Sequence, residues 1–148
     1  MHKILVTVHV YSSALFSVVA LCLCIYAIKG LIFKNEYRKG HIYLEYAFIA
    51  LLYLGCILGV VLYFFIDPTE DLKKLPLEAL IKKQNMQFWA IEHFSVMIFT
   101  LMIAQIGRFF TSKAITSKDK FKYALFYYGA ATSIIYISMS FYLYYKFL

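Results

Sequence analysis

Four apolar segments, at about residues 4–28, 42–66, 88–110 and 123–145, dominate what this chain can fold into. A helix rises 1.5 Å per residue, so roughly 20 residues cross the ~30 Å hydrocarbon layer of a bilayer. Each segment meets that length. Inside lipid every backbone N–H and C=O must be bonded within the protein, and helices do this segment by segment. The pattern predicts an all-α integral membrane protein, one transmembrane domain over residues 1–148, built as a four-helix up-down bundle. Hydrophobic residues make up 63% of the chain, well above the ~45–50% of soluble domains, which excludes an ordinary globular fold. The first segment is too long for a signal-peptide core and lacks a small-x-small cleavage site, so it is expected to be retained as a helix.

The net charge of +7 is unevenly placed. Lys29, Lys34, Arg38 and Lys39 lie between the first two segments, and Arg108, Lys113, Lys118, Lys120 and Lys122 between the last two. Lys73, Lys74, Lys82 and Lys83 share the middle loop, residues 67–87, with Asp67, Glu70, Asp71 and Glu78; Lys3 and Lys146 sit at the ends. Basic residues collect on the inner side of a membrane. The expectation is both short loops inside and both termini outside (periplasmic, for a bacterial inner membrane). The basic surplus is an orientation signal, and no nucleic-acid module accompanies it.

Small residues mark the packing faces expected of membrane helices. They are Ser13, Ser17, Ala20 and Cys24 below His9, Gly55 and Gly59 in the second segment, and Gly129, Ser133 and Ser140 around Tyr136 in the fourth. Asp67-Pro68 should stop the second helix. Pro76 can open a short amphipathic helix carrying Leu77, Leu80 and Ile81, expected to lie on the outer surface. Trp89 and Tyr142, Tyr144 and Tyr145 read as interfacial aromatics. Cys22 and Cys24 point to different faces and cannot bridge; with Cys56 they are packing residues.

The polar residues inside the apolar segments carry the functional leads. His9 and His93 each lie five residues inside a segment that starts on the outer side, a depth of ~7–8 Å. Ionisable groups in hydrocarbon are expensive and point to function. Two histidines at one height can ligate a haem iron from opposite sides. The plainer alternative is that each bonds a serine or Glu92 and joins two helices. His41 and Glu45, four apart on the inner side, can reach each other as a proton-uptake or quinone-side pair, or simply as neighbours on a helix end. Glu92 orients a neighbour, carries a proton or pairs at the interface. Arg108 reads most simply as an anchor to anionic headgroups. Met97 and Met102 read as packing. No nucleophile–base arrangement, phosphate loop or metalloprotease motif is present, so a hydrolase or kinase is not expected.

His9-Val10-Tyr11-Ser12, Gly59-Val60-Val61-Leu62-Tyr63-Phe64, Ala90-Ile91-Glu92-His93, the basic inner loop, Phe121-Lys122 and Phe126-Tyr127-Tyr128-Gly129 together resemble small four-helix bacterial membrane proteins catalogued as cytochrome b-like. The resemblance implies a membrane electron-transfer protein that binds haem b near the outer face, with His9 and His93 as the iron ligands. It implies a quinone or other membrane subunits as partners. It departs from the family at Tyr11 and near Tyr53, where further histidines are typical, and near Ser138, where a basic residue is. Two readings therefore stand: one haem held by the remaining pair, or a cofactor-free accessory or structural subunit of a larger inner-membrane complex. A small transporter or proton path, resting on Glu45, Glu92 and His41, is a third.

Overall fold

The computed structural model describes residues 2–65 and 77–147, with side chains described for 4–63, 90–141 and 144. Four helices run in order: α1 (His2–Ile32), α2 (Lys39–Phe65), α3 (Leu77–Lys113) and α4 (Ser117–Phe147). All four contain a stretch long and apolar enough to cross a membrane. Only 22% to 33% of each such stretch is buried inside the bundle. The rest is an outward apolar surface, and lipid covers it without the penalty that water would impose.

Neighbours in sequence are neighbours in space, and α1 also packs against α4. This closes an up-down bundle with α1 and α3 across a diagonal. Residue numbers rise on one helix as they fall on the next. Phe16 meets Phe48 and Tyr26 meets His41 between α1 and α2, while Glu45 meets Arg108 and Tyr53 meets Gln105 between α2 and α3. The connections 33–38 and 114–116 thus lie together at one end, called here the loop end. His9 and His93 lie toward the other.

Helix ends follow capping chemistry more than hydropathy. α1 runs past the expected end near residue 28 and through Gly30, on which the ring of Phe121 seats; a Cβ there would collide with it. The helix then closes with the Asn35 amide donating to the Gly30 carbonyl at 3.1 Å around Lys34, whose φ is 52°. This is a Schellman-type stop with lysine where glycine is usual. Thr116 caps α4: its hydroxyl accepts the Asp119 amide and donates to the Asp119 carboxylate. The capping box starts α4 at Ser117, several residues before its apolar run.

The short interfacial helix expected in the middle loop is not seen as a separate element. Residues 77–89 run without interruption into α3, since nothing between Leu77 and Trp89 is a glycine or proline that would break the turn. The expected stop at Asp67-Pro68 and the aromatic belt at Trp89, Tyr142 and Tyr145 fall outside the described residues or side chains.

The core is one seam of Phe16, Ala20, Leu23 and Ala27 from α1, Phe48, Ile49 and Leu52 from α2, Ala104 from α3, and Phe121, Ala124, Tyr128, Ala131 and Ile135 from α4. Gly55 packs near Met97, which confirms Met97 as packing; Gly59 faces open space. On α4 the stripe expected to pack, Ser133, Tyr136 and Ser140, instead faces outward, and the face about 100° away is buried. Without a hydrophobic drive between helices in lipid, residue size alone does not choose the inner face; here the chosen face carries Tyr128 and Ser138. The three cysteines are free.

α3 and α4 approach closely at Gly107, where an added Cβ would lie 2.6 Å from Cβ of Tyr127. That atom is fixed to its backbone, so Gly107→Ala must push the helices apart. Unfolding in one detergent should show a loss of about 1–3 kcal/mol for Gly107→Ala, whereas Gly59→Ala should be neutral or stabilising by up to ~1 kcal/mol.

Candidate functional site

The densest polar site lies at the loop end. Glu45 has no exposed surface, yet it sits in a helix that otherwise buries Phe48, Ile49, Leu52 and Cys56. An unpaired buried carboxylate would be strongly destabilising. Three donors converge on it. Arg108 Nη1 lies 3.0 Å from Oε2, the Thr111 hydroxyl donates to the same oxygen at 3.2 Å, and the Tyr37 hydroxyl donates to Oε1. Arg108 and Thr111 are three apart on α3 and so share a face. The other arm of Arg108 donates to the Tyr46 hydroxyl at 3.0 Å, with the guanidinium carbon 4.6 Å from that ring's centre.

Tyr37 connects this buried pair to the surface. Its backbone amide donates to the Ser117 hydroxyl at 3.0 Å, tying the first loop to the start of α4. Its ring packs on Phe121 at 4.8 Å and on His41 at 5.0 Å. Burial, and then the adjoining Glu45 carboxylate, push its hydroxyl far above the ordinary tyrosine range. It therefore remains a donor at any ordinary pH. Tyr128 completes the cluster from α4. It is fully buried and within electrostatic reach of Glu45 and Arg108, but its hydroxyl has no hydrogen-bond partner among the described residues.

These contacts correct two expectations. Arg108 is not a headgroup anchor: its side chain is 21% exposed and turned inward to Glu45, because a buried acid in hydrocarbon needs a cation more than a lipid phosphate does. His41 and Glu45 share no described hydrogen bond. His41 Nδ1 instead accepts the amide of Arg38, the residue just before α2, at 3.1 Å, and Tyr37 touches both His41 and Glu45.

The second site lies toward the opposite end. His93 Nδ1 is 3.0 Å from the hydroxyl of buried Ser138 on α4. His9, from α1, is near enough for the two imidazoles to interact electrostatically. The buried Nδ1 of His9 has no hydrogen-bond partner among the described residues. The serines beside it do not serve the ring, since Ser12 and Ser13 both donate to the His9 carbonyl. The described polar link of His93 thus joins α3 to α4. Glu92 is exposed and belongs to neither cluster. Among the described residues no group of three or more His, Cys, Asp or Glu side chains could hold a metal ion.

Sequence reasoning found Glu45, His41, His9 and His93 but missed Tyr37, Thr111, Tyr128 and Ser138. One signal was available: a lone acid early in α2 and a lone arginine late in α3 stand at the same membrane level. The hydroxyl residues gave none, being common in membrane helices. The chain matches no known family model, no curated protein and no solved structure.

Arg108→Ala leaves Glu45 buried without its cation and should cost about 3–5 kcal/mol in a detergent unfolding assay, against ~1 kcal/mol for Thr111→Val. Tyr37 gives a pH signature. Its contribution to stability is full below about pH 10 and is lost as pH rises further, because the unfolded chain then releases a proton that folded Tyr37 keeps. Tyr37→Phe should flatten that alkaline decline.

Proposed function

We propose that this chain is a b-type haem protein of the bacterial inner membrane, with both termini outside, in which His9 and His93 ligate the iron. The observation that carries this reading is the buried ring nitrogen of His9, without a hydrogen-bond partner among the described residues and within electrostatic reach of a second imidazole. A buried polar atom left unsatisfied costs about 1–3 kcal/mol and calls for an explanation such as a ligand. The donor set fits haem iron, which accepts two neutral imidazoles from opposite sides. When bound, haem would supply one-electron redox chemistry. The chain's part is to hold and orient. Ser138 would keep the His93 ring in one orientation through Nδ1, as residues behind metal-bound histidines commonly do. The apolar walls would exclude water, and a quinone or a partner redox subunit would exchange electrons with the site.

A second reading is a cofactor-free accessory subunit of a larger membrane complex. The outward small-residue stripe of Ser133 and Ser140, with Gly129 open above it, favours this as a face for a neighbouring helix.

Haem reconstitution of the purified protein decides between them. The expected result is a Soret band that His9→Ala and His93→Ala each abolish and that Ser138→Ala retains with roughly tenfold weaker haem affinity. Natively folded protein that takes up no haem would sink the haem reading.

A further inference from the structure

The loop-end cluster holds more hydrogen-bonding capacity than a static ion pair uses. A carboxylate offers about four lone-pair positions; Arg108, Thr111 and Tyr37 fill three on Glu45. The fourth potential partner, the Tyr128 hydroxyl, stands within reach of Glu45 and Thr111 but makes no well-formed hydrogen bond among the described residues. A hydroxyl oxygen beside a carboxylate has nothing to accept from it. Beside a carboxylic acid it does, because the acid carries an O–H donor. The cluster therefore supplies partners for both protonation states of Glu45: three bonded donors for the anion, and a Tyr128 hydroxyl whose oxygen can accept from the neutral acid.

The surroundings also provide access. A surface recess of about 270 Å³ is lined by Tyr26, Asn35, Glu36, Arg38 and His41. Behind it, sharing Tyr26 and His41, is a narrow space of about 10 Å³ lined in part by Tyr37 and Phe121, at the lower limit for one water molecule. Tyr37 lines this space and touches Glu45 with its hydroxyl. The charged and titratable groups around Glu45 come from every side. They are Tyr37 and Arg38 in the first loop, His41 and Tyr46 on α2, Arg108 on α3, Tyr128 and Lys120 on α4, and Tyr26 on α1, which reaches only as far as His41. Of these, Arg108 alone is ion-paired with Glu45 in the described structure. Being partly exposed, it can be hydrated when that charge is neutralised.

We propose that Glu45 is a proton-binding site loaded from the loop end of the bundle, with Tyr37 as the relay and Tyr128 as the partner of the protonated carboxyl. A proton from water in the recess reaches the Tyr37 oxygen as the tyrosine's own proton passes to Glu45 Oε1. Glu45 becomes neutral, its new O–H turns to the Tyr128 oxygen, and Arg108 keeps its bond to Tyr46. One proton is taken up and no electrons move. The site works with or without haem at the far end.

Infrared pH titration of the whole protein in lipid nanodiscs tests this through the C=O stretch of a protonated carboxyl. A band should appear on acidification and exchange slowly in deuterated water, unlike those of the exposed Glu36 and Glu92. Glu45→Gln should remove it. Should that variant not fold, two others carry the test and move the midpoint in opposite directions. Tyr128→Phe, which deletes the acceptor for the acid, should lower proton affinity about tenfold, or one pH unit. Tyr37→Phe, which deletes a donor to the anion, should raise it and slow uptake. A slowly exchanging band that is absent throughout the folded pH range overturns the proposal, as does a midpoint unmoved by Tyr128→Phe; Glu45 is then a permanent clamp.

Discussion

A carboxylate without solvent, held by one guanidinium, organises the loop end of this bundle. Taking the Glu45 charge out of water is tolerable only while Arg108 and two hydroxyls face it, and these partners come from two other parts of the chain, α3 and the first loop. Arg108 and Thr111 bring α3 to α2, and Tyr37 folds the first loop back over the pair. The Tyr37 amide then reaches Ser117 and draws in the start of α4. Hydrophobic burial does not discriminate among helix faces in lipid, so directed polar contacts of this kind are what give the bundle a register. The aromatic packing of Phe121 on Tyr37, His41 and the Gly30 backbone follows from that placement.

The two ends of the bundle solve different problems. At the loop end, donors and acceptors are plentiful and nearly all engaged. Toward the opposite end two imidazoles lie within electrostatic reach of each other, with one serine hydroxyl joining α3 to α4 and a nitrogen on α1 that has no hydrogen-bond partner among the described residues. Between them the core is apolar and aromatic, with Phe16, Phe48 and Tyr128 in successive contact. The hydroxyls of Ser17, Thr100 and Thr132 in this middle zone are returned to their own helix backbones. Polar function is thus kept to the two ends.

Much of the architecture was legible because membrane helices advertise themselves by length and hydropathy. The number of helices, their antiparallel order and the packing role of Met97 and the cysteines all came from that signal. Helix limits were read less well: α1 was expected to end near residue 28 and runs through Gly30, and the run at 77–89 looked like a separate element and is the start of α3. The inward face of α4 was misread because Gly129, Ser133, Tyr136 and Ser140 have the same period as the face that is buried. At the site, rare charged residues were visible and their hydroxyl partners were not. Arg108 was assigned to headgroups since a sequence shows its depth but not the direction in which its side chain turns.

Glu45 and Arg108 lie in opposite halves of the chain, one in each helical hairpin. During biogenesis the first hairpin therefore reaches the bilayer with an uncompensated anion, and the second with an uncompensated cation. Neither half is a self-sufficient unit in the membrane. Each is completed by the other, so packing of the two hairpins is coupled to pairing of the Glu45 and Arg108 charges.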